Sequence, residues 1–195
     1  MESFLVKEPF VRIILGPMKA EKSTCAVRLA RKYGHFCNVL LVNSTVDTRS
    51  ADEFIVTHSG EHTKCTKVGK LSELEELETF KEAQLVVIDE GQFFGDLKEH
   101  VFKFCDVKSY VVASLDADAK QEKFGQVWDL IPIAKYIEKL HGLCEICKDG
   151  TPSICSIKLG GFDKQISVDD FQASDSSPKY LTVCLKHRDY AGGEK

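Results

Sequence analysis

The chain has 195 residues, 43% hydrophobic, 29% charged and 9% aromatic. That is apolar surface enough for one ordinary domain, or for a core of about 140 residues with a small appendage, and too much for a disordered or fibrous chain. Lys and Arg number 26 against 30 Asp and Glu, a formal net charge of -4, which lacks the basic excess needed to neutralise many phosphates and excludes nucleic acid as an expected partner.

The first nine residues, Met1 to Pro9, carry acids and no long apolar run. They read as neither a secretory signal nor a membrane span, so a cytoplasmic protein with no membrane partner is expected. Phe10 to Leu15 is a short apolar run closed by Gly16-Pro17, the pattern of a strand entering a turn. From Lys22 to Tyr33 the apolar residues Cys25, Ala26, Leu29 and Ala30 recur at helical spacing, and Gly34 stands where a glycine commonly ends a helix. Val39 to Val42 reads as a second buried strand. The polar stretch from Asn43 to Cys65 reads as an active-site or dimer-facing loop, and Leu71, Leu74 and Leu77 predict an amphipathic helix up to Phe80.

Leu85 to Ile88 and Tyr110 to Ala113 are two further apolar runs, stopping at Asp89-Glu90 and at Asp116, and Ile131 to Ile137 suggests one more strand. Strands alternating with helical stretches, each ending in a carboxylate or glycine loop, describe an α/β fold built on a parallel sheet, with its ligand site beyond the strand carboxyl ends. Of eight cysteines, Cys25, Cys37, Cys65 and Cys105 are scattered through these elements without the spacing of a disulfide framework and read as buried thiols.

Gly16-Pro17-Met18-Lys19-Ala20-Glu21-Lys22-Ser23-Thr24 nearly matches the phosphate-binding pattern Gly-x4-Gly-Lys-Ser/Thr. In that pattern helix-end N–H groups cradle an anion, the lysine reaches the terminal phosphates of ATP and the following hydroxyl binds Mg2+; Lys22 and Ser23 fill the last two roles. Glutamate replaces the glycine at position 21, adding both a Cβ and a charge. Two unit charges about 4 Å apart repel by roughly 4 kcal/mol at an effective dielectric of about 20, so a Glu21 turned inward costs affinity and one turned outward spares it; the sequence leaves both open. At the end of the third strand Asp89 stands where a Mg2+-associated carboxylate is expected, and Glu90, projecting differently, is placed to act as a general base.

These residues carry a family resemblance. Ile14 to Met18, Asp47-Thr48-Arg49, Thr57-His58, Asp89-Glu90-Gly91-Gln92-Phe93-Phe94, Leu115-Asp116, Lys123-Phe124-Gly125 and Ile131 to Ala134, in this order and spacing, make the chain from about Arg12 to about Tyr190 resemble the type II thymidine kinases. The resemblance implies a phosphate-loop kinase core over residues 1–140, a zinc-bearing lasso domain over 141–195, and transfer of the ATP γ-phosphate to the 5′-hydroxyl of deoxythymidine, giving dTMP. It further implies Glu90 as the base for that hydroxyl; Gly16, Pro17, Met18, Lys22, Ser23 and Thr24 around ATP; and Asp47, Arg49 and Asp89 around the transfer site. Met18, Phe93, Leu115, Phe124 and Tyr180 are implied to form the base pocket. A homodimer or homotetramer is implied as well.

Three departures stand out. Lys19 occupies a place where the family usually has an aromatic residue. Ala117 and Ala119 replace a glycine and an aromatic near the base, and Ala173 to Pro178 replaces the Gly-Gly turn before Tyr180. A catalytically degenerate relative serving as an oligomerising or partner-binding scaffold is therefore the competing reading.

In the tail, Cys144-x2-Cys147 and Cys184-x2-His187 form two paired-ligand knuckles, the spacing of a tetrahedral structural Zn2+ site filled by protein. Cys155 is left over and reads as a packing or surface thiol.

Overall fold

The computed structural model describes residues 8–47, 53–56, 60–159 and 180–190. Its centre is a six-stranded sheet, all neighbours parallel, made of β1 (Val11–Gly16), β2 (Val39–Ser44), β5 (Thr66–Val68), β6 (Leu85–Ile88), β7 (Ser109–Leu115) and β8 (Ala134–Lys139) in the order β5-β2-β6-β7-β1-β8. Two antiparallel pairs accompany it: β3 (Phe54–Val56) with β4 (His62–Lys64), and β9 (Cys155–Lys158) with β10 (Tyr180–Val183). Among the described residues no helix is long and apolar enough to cross a membrane.

Because successive side chains in a strand point to opposite faces, each apolar run feeds two cores at once. Ile13, Leu15, Val42, Val86, Ile88, Tyr110 and Val112 fill one face. There they meet Phe80 of α2 (Glu78–Glu82), Leu97 and Val101 of α3 (Leu97–Phe104), and Leu71, Leu74, Val127 and Leu130 from two 3-10 turns. Ile14, Leu41, Leu85, Val87, Val111 and Ala113 fill the other, under Cys25, Ala26, Leu29 and Ala30 of α1 (Lys22–Gly34). Helix α1 thus spans the predicted segment and ends on the predicted glycine.

Four expectations need correction. The helix expected from Leu71 to Phe80 is a 3-10 turn, Leu71–Glu76, an extended Leu77 and then α2. A spacing of three without a partner at four fits 3-10 geometry, where residues three apart eclipse, and Asp96 fixes the turn by accepting the Leu71 and Ser72 N–H groups at 3.1 and 2.9 Å. Residues 43–65 are not simply a loop: β2 runs on to Ser44, the β3–β4 pair follows, and Ile55 and Cys65 are buried under α1. The last sheet strand starts at Ala134, because Val127–Ile133 with its internal Pro132 is a 3-10 turn. Finally, Cys37 and Cys105 are only half buried, whereas Cys25, Cys65 and Cys155 are buried, and none of the eight cysteines is in a disulfide. Burial pushes the Cys65 thiol up to about 11, which suits an inert packing role.

Parallel order brings the carboxyl ends of β1, β2, β6 and β7 to one edge of the sheet. The phosphate loop, Asp47, Asp89-Glu90 and Leu115-Asp116 therefore leave the sheet on the same side.

Candidate active site

Gly16 closes β1 where space forbids any other residue: a Cβ there would lie 2.5 Å from the Leu140 carbonyl oxygen, while Leu140 donates its N–H to Leu15 at 2.8 Å. The loop then takes two left-handed residues, Lys19 and Glu21, each at φ 57°. Glu21 sits in the conformation a glycine adopts without cost, its side chain is exposed, and it makes no capping hydrogen bond to α1. Glutamate in that conformation costs roughly 1–2 kcal/mol. The first turn of α1 holds no acidic residue, so its free N–H groups and positive dipole end suit an anion. Lys22 is buried and its Nζ donates to the Pro17 carbonyl at 2.7 Å. Ser23 and Thr24, half buried, occupy the turn above it.

The acidic side is assembled from β2 and β6. Asp47 is buried, accepts a hydrogen bond from Asn43 Nδ2 at 2.9 Å, and its backbone carbonyl accepts from Lys67 Nζ at 2.9 Å. Asp89 and Glu90 are both buried, Asp89 N–H donating to Val42 at 2.9 Å and Glu90 turning left-handed at φ 53°. Gln92 holds this corner. Its Oε1 accepts from Leu115 N–H at 3.0 Å and Ser114 Oγ at 3.1 Å, which leaves its amide NH2 to donate to Glu90 Oε2 at 2.5 Å. A backbone N–H can only donate, so the amide orientation and with it the direction of the Glu90 bond are fixed by β7.

Beside it lies a small apolar cluster. Leu115, Ala119 and Tyr180 are buried together with Met18 and Phe124 packed against them, and the Phe93 and Phe124 rings meet edge to face at 5.8 Å. Phe94, next in sequence, points the other way and is fully buried in the sheet core. Gly125, at φ 66°, lets the chain cross Gln92 so closely that a Cβ would come 2.5 Å from its carbonyl oxygen. Lys139 Nζ pairs with the buried Asp116 at 2.7 Å, tying the β7 and β8 ends.

Behind the phosphate loop the ligand atoms of Cys144, Cys147, Cys184 and His187 all lie within 4.8 Å of one another. His187 Nδ1 is 3.7, 3.4 and 3.5 Å from the sulfurs of Cys144, Cys147 and Cys184, and the last two sulfurs are 3.8 Å apart. A tetrahedral Zn2+ with bonds of about 2.3 Å to sulfur and 2.0 Å to nitrogen implies edges of about 3.8 and 3.5 Å, so the donor set fits that ion. Burial opposes charge at Cys144, but backbone N–H groups of Cys147, Cys184 and Ile146 and the His187 ring bring its thiol down to about 6. At Glu145 burial likewise opposes charge, and Lys19 and the Thr182 N–H outweigh it, holding the carboxyl below its usual range.

Residues 10–188 match the thymidine kinase family. The chain belongs to that family. It is 38% identical over 183 residues to thymidine kinase a of Arabidopsis thaliana, covering 91% of this chain and 74% of the relative. To the thymidine kinase of Yaba monkey tumor virus it is 34% identical over 185 residues, covering 90% and 92%. To the cytosolic thymidine kinase of Gallus gallus it is 28% identical over 182 residues, covering 89% and 74%.

For this member of the thymidine kinase family, the residues singled out in the sequence gather in four groups: the loop from Gly16 to Thr24, the acids Asp47, Asp89 and Glu90, the apolar cluster of Met18, Phe93, Leu115, Phe124 and Tyr180, and the knuckle of Cys144, Cys147, Cys184 and His187. Arg49, Thr48, Thr57-His58 and Ala173 to Pro178 lie outside the described residues. Sequence reasoning passed over the work of Gln92, although it sits inside the Asp-Glu-Gly-Gln-Phe-Phe segment. It also passed over Asn43 and Lys67 beside Asp47, for which no local signal exists.

Proposed function

We propose that this chain is an ATP-dependent thymidine kinase that converts deoxythymidine to dTMP. The observation that carries the reading is the meeting, at one sheet edge, of an anion-ready helix end, a buried acid pair and an apolar cluster whose members come from five separate segments. In this reading the slot of Met18, Phe93, Leu115, Phe124 and Tyr180 takes the thymine ring by apolar contact. The loop residues Gly16, Pro17, Met18, Lys22, Ser23 and Thr24 hold the ATP phosphates, with the Lys22 ammonium swinging from Pro17 to the terminal phosphates.

Glu90, aimed by Gln92, accepts the proton of the 5′-hydroxyl as that oxygen bonds to the γ-phosphorus and the bond to the β,γ-bridging oxygen breaks, releasing ADP. Ser23 and Asp89 would hold Mg2+, which when bound offsets phosphate charge, and Asp47 and Arg49 border the transfer site. Cys144, Cys147, Cys184 and His187 would hold a structural Zn2+, organising residues 141–195 as a lasso domain on a 1–140 core. A cytoplasmic homodimer or homotetramer completes the proposal.

Phosphorylation of labelled thymidine by zinc-replete protein with Mg-ATP is expected, and Glu90→Gln is expected to lower turnover by about 10²- to 10⁴-fold. A folded, zinc-loaded wild-type chain without turnover would overturn the reading and favour a scaffold.

A further inference from the structure

The phosphate loop is gripped from outside the sheet. Lys19, left-handed at φ 57°, sends its Nζ 126 residues along the chain to Glu145 Oε1 at 2.5 Å. The other Glu145 oxygen accepts from Thr182 N–H at 2.6 Å and Thr182 Oγ1 at 3.1 Å, and Glu145 N–H donates to Thr182 O at 2.9 Å. Glu145 stands between Cys144 and Cys147, and Thr182 stands two residues before Cys184, so the carboxylate is located by three of the four candidate metal ligands. The neighbouring loop residue is held in the same way: Met18 N–H donates to Ser156 Oγ of β9 at 2.9 Å. On the remaining side Gly142 packs so tightly that a Cβ there would lie 2.9 Å from Lys19 O.

This grip has a physical purpose. A lysine in the left-handed region is strained and persists only where its surroundings over-determine it. The knuckle segment, by contrast, has a small core of its own: Cys144, Cys155, Ile157, Val183 and Cys184 are its buried apolar members. Its geometry therefore depends on what binds the four ligands.

Building on the ATP-binding reading above, we propose that Glu145 is a positioning residue that couples the cysteine-histidine knuckle to the phosphate loop through Lys19, so that metal occupancy sets ATP affinity. The loop binds phosphate best when residues 18–19 are already in place, because binding then carries no ordering cost. Emptying the knuckle frees Glu145, and Lys19 relaxes out of the left-handed region.

The test is a double-mutant cycle with Lys19→Met, Glu145→Ala and the pair, read by calorimetric binding of a non-hydrolysable Mg-ATP analogue and of thymidine to the full chain, with zinc content measured on each sample. Each single variant is expected to bind the analogue about 3- to 10-fold more weakly, with thymidine affinity and zinc stoichiometry unchanged. The pair is expected to be no weaker than either single. Chelation of zinc is expected to weaken analogue binding more in the wild type than in Lys19→Met, where only the Met18–Ser156 contact is left to lose. Should Glu145→Ala bind as wild type or more tightly while Lys19→Met binds weakly, Lys19 serves the phosphates directly and the proposal falls. Additive losses, or loss of zinc from Glu145→Ala with normal binding in Lys19→Met, would overturn it too. A wild-type chain that binds no analogue at all refutes instead the kinase reading on which the proposal rests.

Discussion

The phosphate loop and the knuckle touch through Lys19 and Glu145 yet are held by opposite means. The loop hangs from β1 and α1, whose side chains belong to two large cores on the two faces of a six-stranded sheet. Its shape is enforced by close backbone approach, as at Gly16 against Leu140. The knuckle hangs from two short strands, and its four ligand atoms cluster in a way that satisfies a metal better than one another. The first region spends packing energy on holding strained residues in place; the second has only a small core of its own beside a donor set that would suit an ion. Where a site is built from both, its rigid half and its conditional half should fail separately.

The largest break should come from removing a ligand. Cys184→Ser is expected to lose the tightly bound metal, from about one per chain to none, since a structural site needs all four donors. Amide exchange should then accelerate through β9 and β10 while β1, β6 and β7 stay protected. Uniform loss of protection across the sheet would show that the two regions form a single cooperative unit.

A cut on the other side should leave the metal alone. Gln92→Ala removes the acceptor of the buried Leu115 N–H and one donor to Glu90; leaving a buried backbone N–H unpaired costs about 1–3 kcal/mol. A drop in denaturant midpoint with full zinc content is expected, together with a fall in turnover that exceeds any rise in KM for thymidine, because the base is misaimed while the slot remains. Loss of thymidine affinity with turnover intact would place Gln92 in the slot instead.

How much of this could be read from the chain follows the same division. Apolar runs such as Leu85 to Ile88 are buried on both faces, and the turn residues after them, Gly16-Pro17 and Asp89-Glu90, marked strand ends because local chemistry dictates both. The knuckle was legible because metal geometry constrains spacing, and its four side chains converge on one point. What local pattern cannot carry is a choice between periods of 3 and 3.6, hence the broken helix at Leu77, or a contact across 126 residues such as Lys19 with Glu145. Nor does it say which of two adjacent phenylalanines faces the slot; burial does, with Phe94 in the core and Phe93 against Phe124.

The smallest expected effect is at Glu21, and it measures how far the rigid half tolerates strain. Glu21→Gly removes the left-handed penalty of roughly 1–2 kcal/mol, offset in part by the 0.5–1 kcal/mol or so of extra freedom glycine gives the unfolded chain. The net gain, between about 0 and 1.5 kcal/mol, corresponds to a rise in Tm of at most about 3–6 °C for a chain of this size. The side chain is exposed, so its charge acts on bound phosphate through solvent and should be screened by salt. ATP-analogue affinity is accordingly expected to rise by about 2- to 5-fold at low ionic strength, with the difference from wild type shrinking in about 0.5 M salt. A gain that survives high salt would mean that backbone relief, not charge, limits the loop. No gain in either Tm or affinity would mean that the core beneath α1 already absorbs the strain, leaving Lys19 as the left-handed residue that matters.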